Sequence, residues 1–127
     1  MVRIDCRFTK EDRLRKRKEF LDLSKIGNTV HNSQFLAVST ANSYDRTRLG
    51  ITVSRKVGNS VVRNRIKRHA REYFRQNRHT FQFDTFRDIN LIAKKRAAEL
   101  DVCLLYRALN DIFRKISTQA LSHQKLP

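Results

Sequence analysis

A chain of 127 residues with 39% hydrophobic content is one domain of ordinary size, long enough to bury a core. Its 28 Lys and Arg against 12 Asp and Glu leave a net charge of +16, which opposes the compact state by self-repulsion unless a polyanion offsets it, so nucleic acid is the leading partner class. No apolar run approaches the roughly 18 residues of a spanning helix, and no charged-then-apolar leader precedes residue 20, so the expectation is a soluble, cytoplasmic protein with no membrane partner.

Thr9 followed by Asp12 reads as a capping box with Asp in the Glu position, opening a helix that runs to about Ile26 and stops at Gly27. Leu14, Leu21 and Ile26 give it an inward side, and Phe20 and Leu23 widen that side. Residues 34–40 are β-prone, residues 42–47 carry turn chemistry, and residues 48–54 alternate strictly, which together predict an antiparallel hairpin. In the second strand Leu49, Ile51 and Val53 point to one face and Arg48, Gly50, Thr52 and Ser54 to the other, leaving a small polar surface on which something can lie. Gly58, Asn59 and Ser60 then break the strand and cap a second helix, ending near residues 76–80.

Residues 89–93 form a short apolar run of β type. Val102, Leu105, Leu109, Ile112, Phe113 and Ile116 recur at helical spacing and define a long amphipathic helix over about 99–116. The order is α-β-β-α-β-α, of α+β or α/β sandwich class, in one domain over residues 1–116 followed by a flexible tail over 117–127.

Catalytic chemistry does not show itself. No acid and base pair, activated nucleophile or metal cage emerges by spacing, so no catalytic residue is assigned. Cys6 and Cys103 belong to no Cys-x-x-Cys pair and read as reduced thiols, Cys103 in a helix core. His31, His69, His79 and His123 are scattered, and Asp84 with Asp88 reads as a solvated loop rather than a divalent-ion pair, so no metal site is predicted.

The second helix carries the strongest signal. At about 100° per residue, Val62, Ile66, Ala70 and Tyr73 share one side, while Arg63, Arg65, Lys67, Arg68, Arg71 and Arg75 spread over much of the rest. The single acid Glu72 cannot supply the i+4 pairs that support an exposed charged helix, so the counter-charge comes from a partner. Arg forks hold phosphate oxygens bidentately and Lys adds a mobile charge, a mixture suited to a folded RNA or DNA backbone. Phe20 and Phe35 serve either as core residues, the commoner fate of Phe, or as platforms for unpaired bases. Thr52 and Ser54 can bond sugar or phosphate on the face that Arg48 and Lys56 border.

The run Lys56-Val-Gly-Asn-Ser-Val-Val-Arg-Asn-Arg-Ile-Lys-Arg-His-Ala-Arg-Glu resembles the signature of the protein subunit of bacterial ribonuclease P, whose hallmark is an Arg-Asn-Arg core followed by Ile or Leu, Lys and Arg. An amino-terminal Arg-Leu-Arg-Lys with Glu-Phe, a Gln-Phe opening the first strand, Gly-Ile-Thr-Val-Ser-Arg-Lys before the signature and Ile-Ala-Lys-Lys after it extend the resemblance over residues 8 to about 116. The resemblance implies a three-layer fold similar to the second domain of a small-subunit ribosomal protein, with a left-handed βαβ crossover, against the usual right hand. It implies a protein that assists a catalytic RNA in removing the 5′ leader from precursor tRNA with Mg²⁺ used by the RNA, with no cofactor of its own and no obligate protein partner. By the same resemblance Lys56, Arg63, Asn64, Arg65, Lys67, Arg68 and Arg71 contact RNA, and Phe20, Phe35, Thr52 and Lys56 line a leader-binding cleft between the first helix and the sheet. Ser24 stands where many members carry a second aromatic. A structural RNA-binding protein of the ribosome is the alternative from charge and size, and a duplex-DNA binder fits the charge but not the hairpin-then-helix order.

Overall fold

The computed structural model describes residues 8–124 apart from 82 and 84, with side chains through residue 119. A 3-10 turn (Lys10–Asp12) is followed by α1 (Arg17–Ile26), β1 (Asn28–His31), β2 (Phe35–Ala41), β3 (Arg48–Thr52), α2 (Ser60–Asn77), β4 (Arg87–Ala93) and α3 (Val102–Gln124), with 3-10 turns at Arg78–Thr80 and Lys95–Glu99. The α+β class is as expected. The strand β1 is additional: Asn28-Thr-Val-His has a single apolar residue, Val30, too little for a period to register, yet it pairs antiparallel with β2 and packs Val30 on the core.

The expected hairpin of β2 with β3 does not form. The sheet order is β1-β2-β4-β3. Strand β4 lies between the two, antiparallel to β2 with Phe35 opposite Ala93, and parallel to β3 with Leu49 opposite Ile89. The intervening loop has its turn chemistry, since the Asn42 side-chain oxygen accepts the Tyr44 N–H at 3.0 Å and its amide donates to the Arg46 carbonyl at 3.1 Å. It spans two strand spacings, about 10 Å, instead of one. Alternation tells which face a residue takes but not which strand lies beside it, and β4 arrives some forty residues later.

Alternation then divides the sheet. Phe35 and Ala37 of β2, Leu49 of β3 and Ile89, Leu91 and Ala93 of β4 face α2 and α3, which contribute Ile66, Ala70, Tyr73, Phe74, Leu105, Leu109, Ile112, Phe113 and Ile116. The opposite face carries a smaller cluster of Leu14, Leu23 and Val38, flanked by Phe20, Leu36 and Ile92, beneath α1. The result is three layers: α1, sheet, and the α2–α3 pair. The polar-looking segment after α2 joins the main core, with Phe81 stacked on Phe113 at 4.8 Å.

Several boundaries differ from expectation. The Thr9–Asp12 capping box exists, but on the 3-10 turn. Residues 13–14 then run extended because the Leu14 N–H donates to the Leu49 carbonyl at 3.1 Å, zipping this segment along the open edge of β3. α1 starts only at Arg17, where Glu19 accepts the backbone N–H groups of Arg15 and Lys16. Its inward residues are therefore Leu23 and Phe20, whereas Leu21 is 49% and Ile26 69% exposed. It ends at Gly27, where a Cβ would stand 2.5 Å from Val38 Cγ1. In α3, Val102 and Cys103 are exposed, one turn ahead of the first buried residue, Leu105, and the helix continues past Ile116 to Gln124. Cys6 and His123 lie outside the residues whose side chains are described.

Asp12 binds three parts of the chain together. It is 1% exposed. Its carboxylate accepts the Thr9 N–H at 2.7 Å and pairs with Arg78 at 2.8 Å and Arg46 at 3.3 Å, linking the amino-terminal segment to the end of α2 and to the β2–β3 loop. Burial pushes its pKa up, but the bonds from Thr9 and Arg78 outweigh burial and hold it below the ordinary value. A depressed carboxyl stabilises the fold above the unfolded-state pKa of about 4 and loses that contribution as the pH falls through the lower folded-state value. Asp12→Asn is expected to lower stability by about 2 kcal/mol at neutral pH and to flatten the acid limb of the urea-midpoint profile. A variant with the wild-type acid limb would show that the contribution lies elsewhere.

Candidate nucleic-acid interface

α2 forms as its sequence dictates: the Asn59 side chain accepts the Val62 N–H at 3.0 Å, and Ile66, Ala70, Tyr73 and Phe74 bury one side. This fixes the cations on the remaining surface. Asn64 and Arg68 are exposed on the crest, and Arg63, Lys67 and Arg71 descend one flank at i, i+4 and i+8, each half-buried. Glu72 pairs with Arg75 and accepts from Gln76 at 3.0 Å. Among the described residues no carboxylate forms an ion pair with Arg63, Arg65, Lys67, Arg68 or Arg71. The uncompensated face read from the sequence is therefore real in three dimensions.

The flank is also crowded with like charge. Arg71 has its pKa pushed down, first by burial and then by the neighbouring Arg13 guanidinium, and the buried Nε atoms of Arg13 and Arg63 have no acceptor. Arg13 comes from the segment zipped to the edge of β3, a neighbour that no helical wheel of α2 could supply. An anion seated between Arg71 and Arg13 would relieve that repulsion.

Arg65 is also tied into the fold. Its guanidinium donates to the Ala98 and Leu100 carbonyls at 3.3 and 3.2 Å, tying α2 to the turn that precedes α3. On the same flank His69 stands edge-on to Tyr106 at 5.9 Å, its pKa lowered by burial and then by Arg68 and Arg65.

The second candidate surface lies on the other side of the sheet. Phe20 rests on β3 at Gly50: a Cβ there would stand 2.5 Å from Phe20 Cε1, so only glycine admits the ring. Beside it Thr52 is exposed and donates through its hydroxyl to Asn90 at 3.0 Å, and Leu36 and Ile92 are half-buried. Lys56 is exposed in the turn beyond β3. Phe35 does not belong here: it is 0% exposed, on the α2–α3 face, where parity along β2 sends it opposite to Leu36 and Val38. Ser24 is exposed and back-bonds to the Leu21 carbonyl at 2.7 Å, which leaves Phe20 as the aromatic that α1 lays on the sheet.

Asn90 was not among the sequence candidates. It lies on the same face as Thr52, 9% exposed, and its side-chain N–H group has no acceptor among the described residues. The available signal was an amide inside the apolar run Ile89-Asn-Leu-Ile, where a buried polar group needs a partner.

Asp88 is committed to partners within the protein. Both oxygens of Asp88 are engaged, Oδ1 by Arg48 Nε at 2.9 Å and Asn42 at 2.8 Å, and Oδ2 by Arg48 at 2.7 Å, while Asp84 lies outside the described residues. Among the described residues no group of three or more His, Cys, Asp or Glu comes together, and no helix is long and apolar enough to cross a membrane.

The chain is similar to known proteins over most of its length. The family model described as ribonuclease P matches residues 8–117. The ribonuclease P protein component of Desulfosudis oleivorans is 50% identical over 112 residues, covering 88% of this chain and 91% of that protein. That of Bacillus pumilus is 38% identical over 107 residues, covering 84% and 88%. Among solved structures, the RNase P protein of Thermotoga maritima is 34% identical, with a TM-score of 0.72 over 81% of this chain and 96% of that one. That of Staphylococcus aureus is 33% identical, with a TM-score of 0.71 over 90% and 95%.

Replacing Lys67 or Arg68 by Ala is expected to weaken binding to a structured RNA and to reduce the slope of log affinity against log salt by roughly 0.7 to 0.9 each, with the melting temperature unchanged. Arg65→Ala is expected in addition to lower stability by about 1 to 2 kcal/mol, because two carbonyls lose their donor. RNA titrations at four salt concentrations, alongside thermal melts, check both; an unaltered salt slope in the Lys67 and Arg68 variants would remove them from the interface.

Proposed function

The chain belongs to the ribonuclease P protein family, and from that premise we propose that it is the RNA-binding subunit of an endoribonuclease that removes the 5′ leader of precursor tRNA. The cationic flank and crest of α2 dock on the catalytic RNA, with Arg63, Asn64, Lys67, Arg68 and Arg71 as its contacts and Arg13 beside them. The leader lies on the opposite face of the sheet, against Phe20, Thr52, Asn90 and Lys56. The observation that carries this reading is the pairing of an uncompensated cationic helix with a separate face on which one half-exposed aromatic sits beside small polar groups.

Physical chemistry divides the labour. Arg and Lys neutralise phosphates wherever the backbone presents them, without reading sequence. A phenylalanine face accepts any base, and the Thr52 hydroxyl and Asn90 amide offer bonds to sugar or base edges, which suits an unpaired strand of varying sequence. Hydrolysis belongs to the RNA, whose phosphates hold Mg²⁺; the protein raises affinity for substrate and lowers phosphate repulsion around those ions. The ribosomal alternative rests on charge and size alone.

Reconstitution with a ribonuclease P RNA and precursor tRNA at limiting Mg²⁺ is expected to increase cleavage and to favour precursor over mature tRNA. Phe20→Ala should reduce precursor affinity about tenfold while leaving mature tRNA affinity unchanged, the loss of one stacked base being about 1 to 3 kcal/mol. Equal losses for the two tRNAs would overturn the placement of the leader, and no gain in cleavage by the wild-type chain would overturn the function.

A further inference from the structure

The small cluster under α1 does not by itself fix the helix. Of its ten residues only Leu23 is buried and Phe20 half-buried, and the apolar partners beneath are Leu14 and Val38 with the half-buried Leu36 and Ile92. A short helix on so few contacts can roll or slide, and a roll of one residue, about 100°, would carry Phe20 off the sheet.

A charged network stands at the amino-terminal end of this helix. Arg48, at the start of β3, forms a bidentate pair with Asp88 of β4, at 2.9 and 2.7 Å, and reaches Glu19 of α1 with its remaining terminal nitrogen at 2.7 Å. The three side chains are 12%, 16% and 22% exposed, well shielded from solvent for a pair so close to the surface. The Tyr44 ring covers the guanidinium at 3.9 Å, and Asn42 donates to Asp88 at 2.8 Å. Glu19 is also the residue that caps α1, its other oxygen accepting from Arg15 and Lys16 at 3.2 and 3.0 Å. One carboxylate therefore decides both where α1 begins and which strand that beginning sits upon.

Phe20 is the next residue. Arg48 and Gly50 are two apart on β3 and so share the face beneath α1, about 6.7 Å from one another. With Glu19 held over Arg48, the ring of Phe20 falls on Gly50 beside Thr52 and Asn90. We infer that Arg48 is a positioning residue for the leader cleft: through Glu19 and Asp88 it sets the rotation and offset of α1 that place the Phe20 ring. Its guanidinium is enclosed by its own partners and does not itself serve as a phosphate contact. Lys cannot replace it, since an ammonium has no planar fork to grip Asp88 with two bonds and reach Glu19 with a third.

This inference rests on the leader cleft proposed above, and the test separates the two. Arg48→Lys, Glu19→Gln, Phe20→Ala and the Phe20→Ala combination with each of the first two are reconstituted with ribonuclease P RNA, and the ratio of precursor to mature tRNA affinity is measured. Glu19→Gln keeps an oxygen for the α1 cap and loses only the charge facing Arg48, so it carries the test if Arg48→Lys does not fold by circular dichroism. Each single variant is expected to lower the ratio, Phe20→Ala by about tenfold and the other two several-fold, with affinity for the RNA subunit unchanged. In the Phe20→Ala background neither is expected to lower the ratio further, because both act through the ring. A ratio left intact by Glu19→Gln or Arg48→Lys while Phe20→Ala lowers it, additive losses in the double variants, or equal losses for both tRNAs would each overturn the positioning role. A ratio indifferent to Phe20→Ala would overturn the cleft and, with it, this inference.

Discussion

The position of β4 between β2 and β3 governs the arrangement of everything else. Because β4 is parallel to β3, the chain must leave the far end of β3 and cross back to the end where β3 began, and α2 is the segment that makes the journey. Because β4 is antiparallel to β2, Phe35 and Ala37 fall in line with Ile89, Leu91 and Ala93 on one face, while Leu36 and Val38 join Asn90 and Ile92 on the other. The β3–β4 pair sets Arg48 opposite Asp88 and brings Thr52 within a hydrogen bond of Asn90, while the β2–β4 pair sets Leu36 opposite Ile92 and Val38 opposite Asn90. The polar features of the α1 face are cross-strand pairs, and the central strand makes them.

The same topology separates the charges from the cleft. α2 buries a full apolar side on the sheet, with Tyr73 and Phe74 in an aromatic group that includes Phe81 and Phe113. That anchoring lets the helix hold Arg63, Lys67 and Arg71 in a row, a density of like charge that a weakly packed helix would relieve by fraying. Arg13 adds to the repulsion because the edge of β3 is closed by the amino-terminal segment, whose backbone bond from Leu14 to Leu49 fixes it there. Closing the edge prevents strand addition by another chain. It also continues the cationic surface around the edge strand β3, toward the Phe20 face.

What the sequence discloses follows the range of the interaction. α2 was legible in its cap region, its buried side and its unpaired charge because all three are local, and the Arg63-Asn64-Arg65 signature within it carried the family. The parity of residues 48–54 was legible for the same reason. Strand order was not, because a pairing between residues forty apart leaves no mark on local pattern, and β1 was too short and polar to register. Phe20 and Phe35 show the limit most clearly: both are isolated aromatics near polar neighbours, and only the helix phase of one and the strand parity of the other, each fixed by distant partners, place Phe20 on the open face and Phe35 in the core. Arg65 reads as one more cation in a basic run, and its two carbonyl acceptors are more than thirty residues away.

The start of α1 illustrates how such distant partners override a sound local signal. Asp12 does accept the Thr9 N–H as in a capping box, with the Thr9 hydroxyl donating to the same oxygen, and in isolation a helix from that point would satisfy the leucine spacing. The fold uses Asp12 differently, burying it against Arg46 and Arg78, and uses the Leu14 backbone to close a sheet edge, so the helix is postponed until a second carboxylate, Glu19, can cap it. The delay has a geometric consequence. A helix beginning at Lys10 would have spent its apolar residues covering the sheet continuously, whereas the ten-residue α1 covers only the stretch from Gly50 to Val38 and leaves Thr52 and the end of β4 open. An open face next to a short helix is compatible with a stable position for that helix only if something other than apolar area fixes it, and the charged residues at its amino-terminal end meet that requirement without covering the surface that has to stay accessible.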